Sequence, residues 1–152
     1  MTYDELLIEA NNIGVIVKEA DLRTRDGRCQ GNRIAINENL STVEKACVLA
    51  EELGHYHLTV GDITNQKDDN NRRQELKARR WGYNKKIGII GLTNAFEHGC
   101  SNKYEIAEYL NITIEYLDEA IEYYSSKYGV MHVIDDYIIY FTPYFFIGKT
   151  FY

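Results

Sequence analysis

Proline is almost missing from this sequence: one residue in 152, beside eleven glycines. That excludes a proline-rich or glycine-rich linker and leaves one domain, or a compact domain with a small appendage. Cysteine is nearly as scarce. Cys29, Cys47 and Cys100 are odd in number, widely spaced and form no CxxC pair. They read as free thiols in a reducing compartment rather than as a disulfide framework. No apolar run reaches the ~18 residues of a membrane span. The start, Met-Thr-Tyr-Asp-Glu, lacks the basic residues and apolar stretch of a signal peptide. A cytoplasmic location without membrane contact is therefore expected. Cations are outnumbered, 17 Lys and Arg against 23 Asp and Glu, for a net charge of −6. Phosphate backbones repel such a chain unless its basic residues are segregated. Nucleic acid is not an expected partner.

What is present suits a soluble globular protein, with 45% hydrophobic and 26% charged residues. Leu6, Leu7 and Ala10 fall at helical spacing, so residues 2–12 predict a short amphipathic helix. After Gly14, the β-branched run Val15-Ile16-Val17 suits a strand. Arg25-Asp26-Gly27-Arg28 carries the Asp-Gly signal of a tight turn. Gly31 and Asn32 mark a second turn, and Ile34-Ala35-Ile36-Asn37 a further strand. Residues 14–37 thus predict a small antiparallel sheet. Ser41-Thr42-Val43-Glu44 is a capping box that starts the next helix. Cys47, Val48, Ala50 and Leu53 give it an apolar side, and it should stop near His57. Thr59 to Asp62 has a strand-and-turn composition, and 65–71 reads as a polar exposed loop. A third helix is expected from about Asn71 to Lys85.

The chain then breaks at Gly88–Gly91, a stretch without the Lys-Ser/Thr sequel of a phosphate loop. Helices follow over 92–97, 102–110 and 113–128. Asn102 and Thr113 are good N-caps. The last two helices, joined by Asn111-Ile112-Thr113, resemble a helix-turn-helix. Their segment is acidic: seven acids from Glu97 to Glu122 against Lys103 and Lys127. A recognition helix so charged meets phosphate repulsion, so a structural or protein-docking module is the better reading. Met131–Ile134 and Tyr137–Phe141 predict a hairpin around Asp135-Asp136. Most of the thirteen tyrosines fall late in the chain, as core and hairpin packing.

The chemistry concentrates in Glu51-Glu52-Leu53-Gly54-His55. Helical residues four apart share one face, so Glu51 and His55 can reach a single ion. Glu52 lies one step round, where it can serve as general base. This is the spacing of the His-Glu-x-x-His motif of zinc peptidases, with Glu51 in place of the first His. Carboxylate oxygen and imidazole nitrogen bind zinc at similar distances, ~2.0–2.2 Å. A catalytic zinc keeps three protein ligands, and Glu75, on the next helix with small Ala78 one turn on, is the best third. His57 is a candidate for binding substrate or stabilising the oxyanion. It also becomes a substitute ligand for Glu51 if the helix ends at Gly54. Glu52 and His55 also form a Glu-x-x-His pair, but a di-iron bundle needs a second such pair, and none is present. His98-x-Cys100 lacks neighbouring ligands, and His132 sits in an apolar strand.

Ala50-Glu51-Glu52-Leu53-Gly54-His55, preceded by the Ser41 cap and followed by Thr59-Val60-Gly61-Asp62, resembles the ImmA/IrrE family of zinc metallopeptidases. Glu75-Leu76-Lys77-Ala78-Arg79-Arg80-Trp81 is similar to that family's second block. The resemblance is closest over residues 1–90 and loosens through Tyr104–Gly129, as in phage and mobile-element members. It implies an α+β fold: a small zincin-like, gluzincin-like domain of helices packed on a short antiparallel sheet (1–90). A C-terminal segment, 91–152, would add helix-turn-helix-like helices and a β-hairpin, packed on that core. By position, it implies Glu51, His55 and Glu75 as Zn2+ ligands and Glu52 as catalytic base. The implied activity is cytoplasmic cleavage of a helix-turn-helix repressor-type regulator. The rival readings are a non-catalytic interaction protein on a degenerate peptidase scaffold and, behind it, a DNA-binding regulator that uses the helix-turn-helix.

Overall fold

A computed structural model of the chain describes residues 1–59 and 68–150, the side chains of residues 59 and 68–71 excepted. Two compact units form, Met1–Lys86 and Ile87–Tyr152. The chain is α+β, with helices beside two three-stranded sheets.

The first unit opens with α1 (Tyr3–Asn12). Thr2 Oγ1 accepts from the Glu5 amide, and the Glu5 carboxylate accepts from the Thr2 amide. This reciprocal cap satisfies two helix-end donors. Three strands follow: β1 (Ile16–Ala20), β2 (Gly27–Gln30) and β3 (Arg33–Asn37). Their order is β1-β3-β2, with β1 parallel and β2 antiparallel to β3. The all-antiparallel sheet expected from the sequence is thus corrected to a mixed one. Burial explains the order. Ile34 and Ile36 are both buried, so β3 has most to hide and takes the centre. The short Gly31-Asn32 turn can join only antiparallel neighbours, which fixes β2 on one side. Residues 21–26 then carry the chain from β1 on the far edge. The Asp26-Gly27 turn is also corrected, because Gly27 opens β2.

Next comes α2 (Thr42–Thr59), and its capping box forms as expected. The Ser41 amide donates to Glu44 Oε1 at 3.1 Å, and the Glu44 amide to Ser41 Oγ at 3.2 Å. Ala46, Leu49, Ala50 and Leu53 pack with Leu6, Ala10, Ile34 and Ile36 in the core. Each buried Leu or Ile stabilises the fold by roughly 1.5–3 kcal/mol. α3 (Asp68–Lys86) starts three residues before the predicted Asn71. The turn expected after Thr59, and most of the loop expected over 65–71, lie outside the described residues.

In the second unit, α4 (Gly88–His98), α5 (Lys103–Leu110) and α6 (Ile114–Tyr128) precede β4 (Met131–Ile134), β5 (Tyr137–Tyr140) and β6 (Phe146–Lys149). The break predicted over Gly88–Gly91 narrows to Ile87 and Gly88, whose φ of +65° suits glycine. Gly91 lies inside α4. Asn102 Oδ1 and Thr113 Oγ1 cap α5 and α6, accepting from the amides of Glu105 and Tyr116. The hairpin forms, but β6 adds a third strand on β5. Pro143 and Gly148 hide it from pattern reading, since both weaken strand signals.

Candidate metal centre

Glycine inside a helix costs about 1 kcal/mol relative to alanine, so Gly54 in the middle of α2 needs a reason. A Cβ there would lie 2.6 Å from the Ala78 carbonyl oxygen and 3.1 Å from its Cα. The backbones of α2 and α3 therefore nearly touch at Gly54 and Ala78. Ala78, fully buried, leaves the room its small size suggested. One turn before it, Glu75 meets His55, one residue after Gly54.

The meeting is close. His55 Nε2 lies 3.3 Å from Glu75 Oε2. Glu51, one turn back along α2, joins them, and one donor atom from each of the three residues falls within 4.8 Å of the others. Ligands held ~2.0–2.2 Å from a tetrahedral ion sit roughly 3.3–3.6 Å apart. The His55–Glu75 spacing matches, and a Glu51 oxygen lies within 4.8 Å of both donors. Two carboxylates and an imidazole suit a divalent cation, so these residues can hold one.

Glu51 has a second partner. Arg79, one turn beyond Glu75, places Nε 3.6 Å from Glu51 Oε1. Burial pushes the Glu51 carboxyl upward, and Glu75 adds to it; Arg79 and His55 oppose the rise. Glu52 faces another neighbour. A Cβ on Gly27 would fall 3.1 Å from Glu52 Oε1 and 2.6 Å from Val48 Cγ1, so β2 crosses directly over this carboxylate. Glu52 is 8% exposed. Burial, then the charges of Glu51 and Glu75, push its carboxyl up to about 7, with Arg25 pulling the other way. A carboxyl so placed can take up and release a proton near neutrality. Its proximity also raises the Cys29 thiol, already lifted by burial, to about 11.

His57 is not among the three convergent side chains. It is exposed on α2, stacked on Trp81 with ring centroids 4.8 Å apart and edge-on to Tyr56 at 5.3 Å. α2 continues through Thr59, so the condition under which His57 replaces Glu51 as ligand is not met. Among the described residues no second group of acidic, His or Cys side chains converges in this way. His98 stacks on Tyr109 and His132 packs on Tyr128. The cysteines form no disulfide.

Sequence reasoning missed Arg79, Gly27 and Arg25. Arg79 carried a signal, lying four residues after Glu75 on the same helical face. Gly27 was masked by its Asp-Gly context, and nothing local points Arg25 toward Glu52. Among the described residues, no helix is long and apolar enough to cross a membrane. The family model of the IrrE N-terminal-like domain, a peptidase family, matches residues 8–122. No curated protein and no solved structure matches the chain.

Proposed function

The chain belongs to the IrrE N-terminal-like peptidase family, and from that premise we propose that it is a zinc-dependent metallopeptidase that cuts a repressor-type regulator. It would do so in the cytoplasm, with a helix-turn-helix protein of phage or mobile-element type as substrate. The observation that carries this reading is the convergence of Glu51, His55 and Glu75 beside the buried carboxyl of Glu52.

Glu51, His55 and Glu75 would hold the zinc, two from one helix and one from its neighbour. When bound, zinc supplies Lewis acidity, which polarises a carbonyl and lowers the pKa of water toward ~7. The protein's own part is proton handling. The Glu52 carboxylate takes a proton from the water that attacks the peptide carbonyl. It then returns that proton to the departing amine. β2 shields Glu52 from bulk solvent, and Gly27 leaves the gap in which it sits. His57, stacked on Trp81, would contact an apolar substrate side chain.

Metal analysis of the untreated protein tests this. One zinc per chain is expected, removable by chelator. Glu52→Gln should keep the zinc and abolish cleavage of a co-expressed regulator. A protein that carries no metal and gains none on zinc addition would overturn the assignment. A second reading has one observation in its favour: Glu51 stands in the first motif position and is ion-paired to Arg79. On that reading the scaffold binds partners without cleaving them, and Glu52→Gln leaves biological activity intact.

A further inference from the structure

The β1-β3-β2 sheet has two unlike faces. One carries Ile34, Ile36 and Cys29 toward the helices. The other is built from the alternate residues. Strand register sets Lys18 and Arg28 on either side of Ala35, one from each edge strand. Arg33 lies two residues from Ala35 on the central strand, with Ile16 beside it. Two strand spacings put Lys18 and Arg28 roughly 10 Å apart, and two residues put Arg33 ~7 Å from Ala35. Three cations thus ring a small floor. The result is a groove of about 290 Å³.

No acidic residue shares this face: Ile16, Lys18, Ala20, Arg28, Gln30, Arg33, Ala35 and Asn37 occupy it. Among the described residues, none of the three cations is in an ion pair or side-chain hydrogen bond. All three are exposed. In a chain of net charge −6, this is a segregated basic surface with an apolar floor. We propose that the outer face of the β1-β3-β2 sheet is a docking site for an acidic peptide segment of the protein substrate. Charge complementarity selects the occupant. Carboxylates spaced along a chain can meet the three cations while Ile16 and Ala35 take the apolar atoms between them. β2 links this face to the chemistry, because its Gly27 crosses Glu52 and its next residue is Arg28. The inference rests on the peptidase reading only in calling the bound segment part of a substrate.

The test is fluorescence anisotropy of a labelled peptide of alternating Glu and Ser, added to the full-length protein. Saturable binding that weakens as salt rises is expected. The double reversal Lys18→Glu with Arg28→Glu should weaken it at least about tenfold, or ~1.4 kcal/mol. The neutral set Lys18→Gln, Arg28→Gln and Arg33→Gln should do the same with less perturbation of the fold. Arg72→Glu, an exposed cation on α3, should leave it within about twofold. Absence of saturable binding at low salt, equal loss with Arg72→Glu, or tighter binding of a labelled single-stranded oligonucleotide would each overturn the proposal. Zinc content of the same samples separates the two readings. A chain that holds zinc but ignores the peptide defeats this inference alone. A chain that binds the peptide without holding zinc defeats the peptidase assignment and leaves an acidic-peptide site.

Discussion

Replacing Gly54 by alanine should damage metal binding far more than stability. The new Cβ would start 2.6 Å from the Ala78 oxygen, 3.1 Å from its Cα and 3.2 Å from its carbonyl carbon. All three atoms are backbone, so no rotamer change relieves the contact. A real Cβ is essentially never found within 3.0 Å of a non-bonded heavy atom, and the carbonyl oxygen would lie at 2.6 Å, so α2 and α3 must part by about 0.4 Å or more. Two opposing effects act on the fold. Alanine favours a helix over glycine by about 1 kcal/mol, whereas overpacking costs ~1–3 kcal/mol. The net loss should be small, between zero and about 2 kcal/mol. A metal held by Glu51, His55 and Glu75 would tolerate less, because metal–donor distances hold to about ±0.2 Å. Shifting Glu75 away from Glu51 and His55 should cost roughly ten- to a hundredfold in zinc affinity, as loss of a supporting contact does elsewhere. Zinc competition against a chromophoric chelator reads the affinity, and urea unfolding reads the stability. Unchanged affinity with a stability gain of about 1 kcal/mol would refute the tight approach of the two helices.

Other perturbations separate the remaining roles. Arg79→Gln removes the positive charge 3.6 Å from Glu51; because that pair is partly exposed, zinc affinity should rise only about two- to fivefold. A fall in affinity on competition titration would mean that Arg79 holds Glu51 in place for the ion. In chelator, Glu52 should make the fold weaken as pH rises. Its folded carboxyl titrates near 7 instead of 4.5, so the native state keeps a proton that the unfolded chain has released. Stability is therefore full below the ordinary carboxylate range, falls between about pH 4.5 and 7, and is flat above, with a total of about 3 kcal/mol. Urea midpoints at pH 5.5 and 8 should differ less in Glu52→Gln than in the parent; equal differences would contradict the burial argument. Ser41→Ala should cost about 1 kcal/mol in thermal or urea unfolding without changing zinc affinity, since the cap lies at the far end of α2 from the ligands.

The parts of this structure legible in the sequence are those decided within a turn or two of chain. The Ser41 cap, the shared face of Glu51 and His55, and the caps at Asn102 and Thr113 depend on neighbours three or four residues away. Glu75 was reachable because small Ala78 marks a close helix approach. What escaped is set by competition at long range. The parallel pairing of β1 with β3 follows from which strand must hide most apolar surface, and no local pattern ranks strands that way. Gly27 carries the same dipeptide signal whether it turns the chain or clears space over a carboxylate. β6 pairs along the edge of β5; Phe146 and Ile147 suit a strand, but Gly148 inside it and Pro143 just before it obscure the pattern. Arg25 affects Glu52 only because the sheet folds back over α2.

The two adjacent glutamates of α2 answer to different landlords: Glu51 to the helix bearing Glu75 and Arg79, Glu52 to the strand bearing Gly27 and Cys29. The two are still linked, because the charges of Glu51 and Glu75 raise the Glu52 carboxyl. Changes along residues 27–29 would retune the acid–base midpoint through burial, whereas a change at 51 or 75 would move that midpoint together with cation capture. An engineer wishing to shift one setting alone has the cleaner handle on the strand, not on the helix.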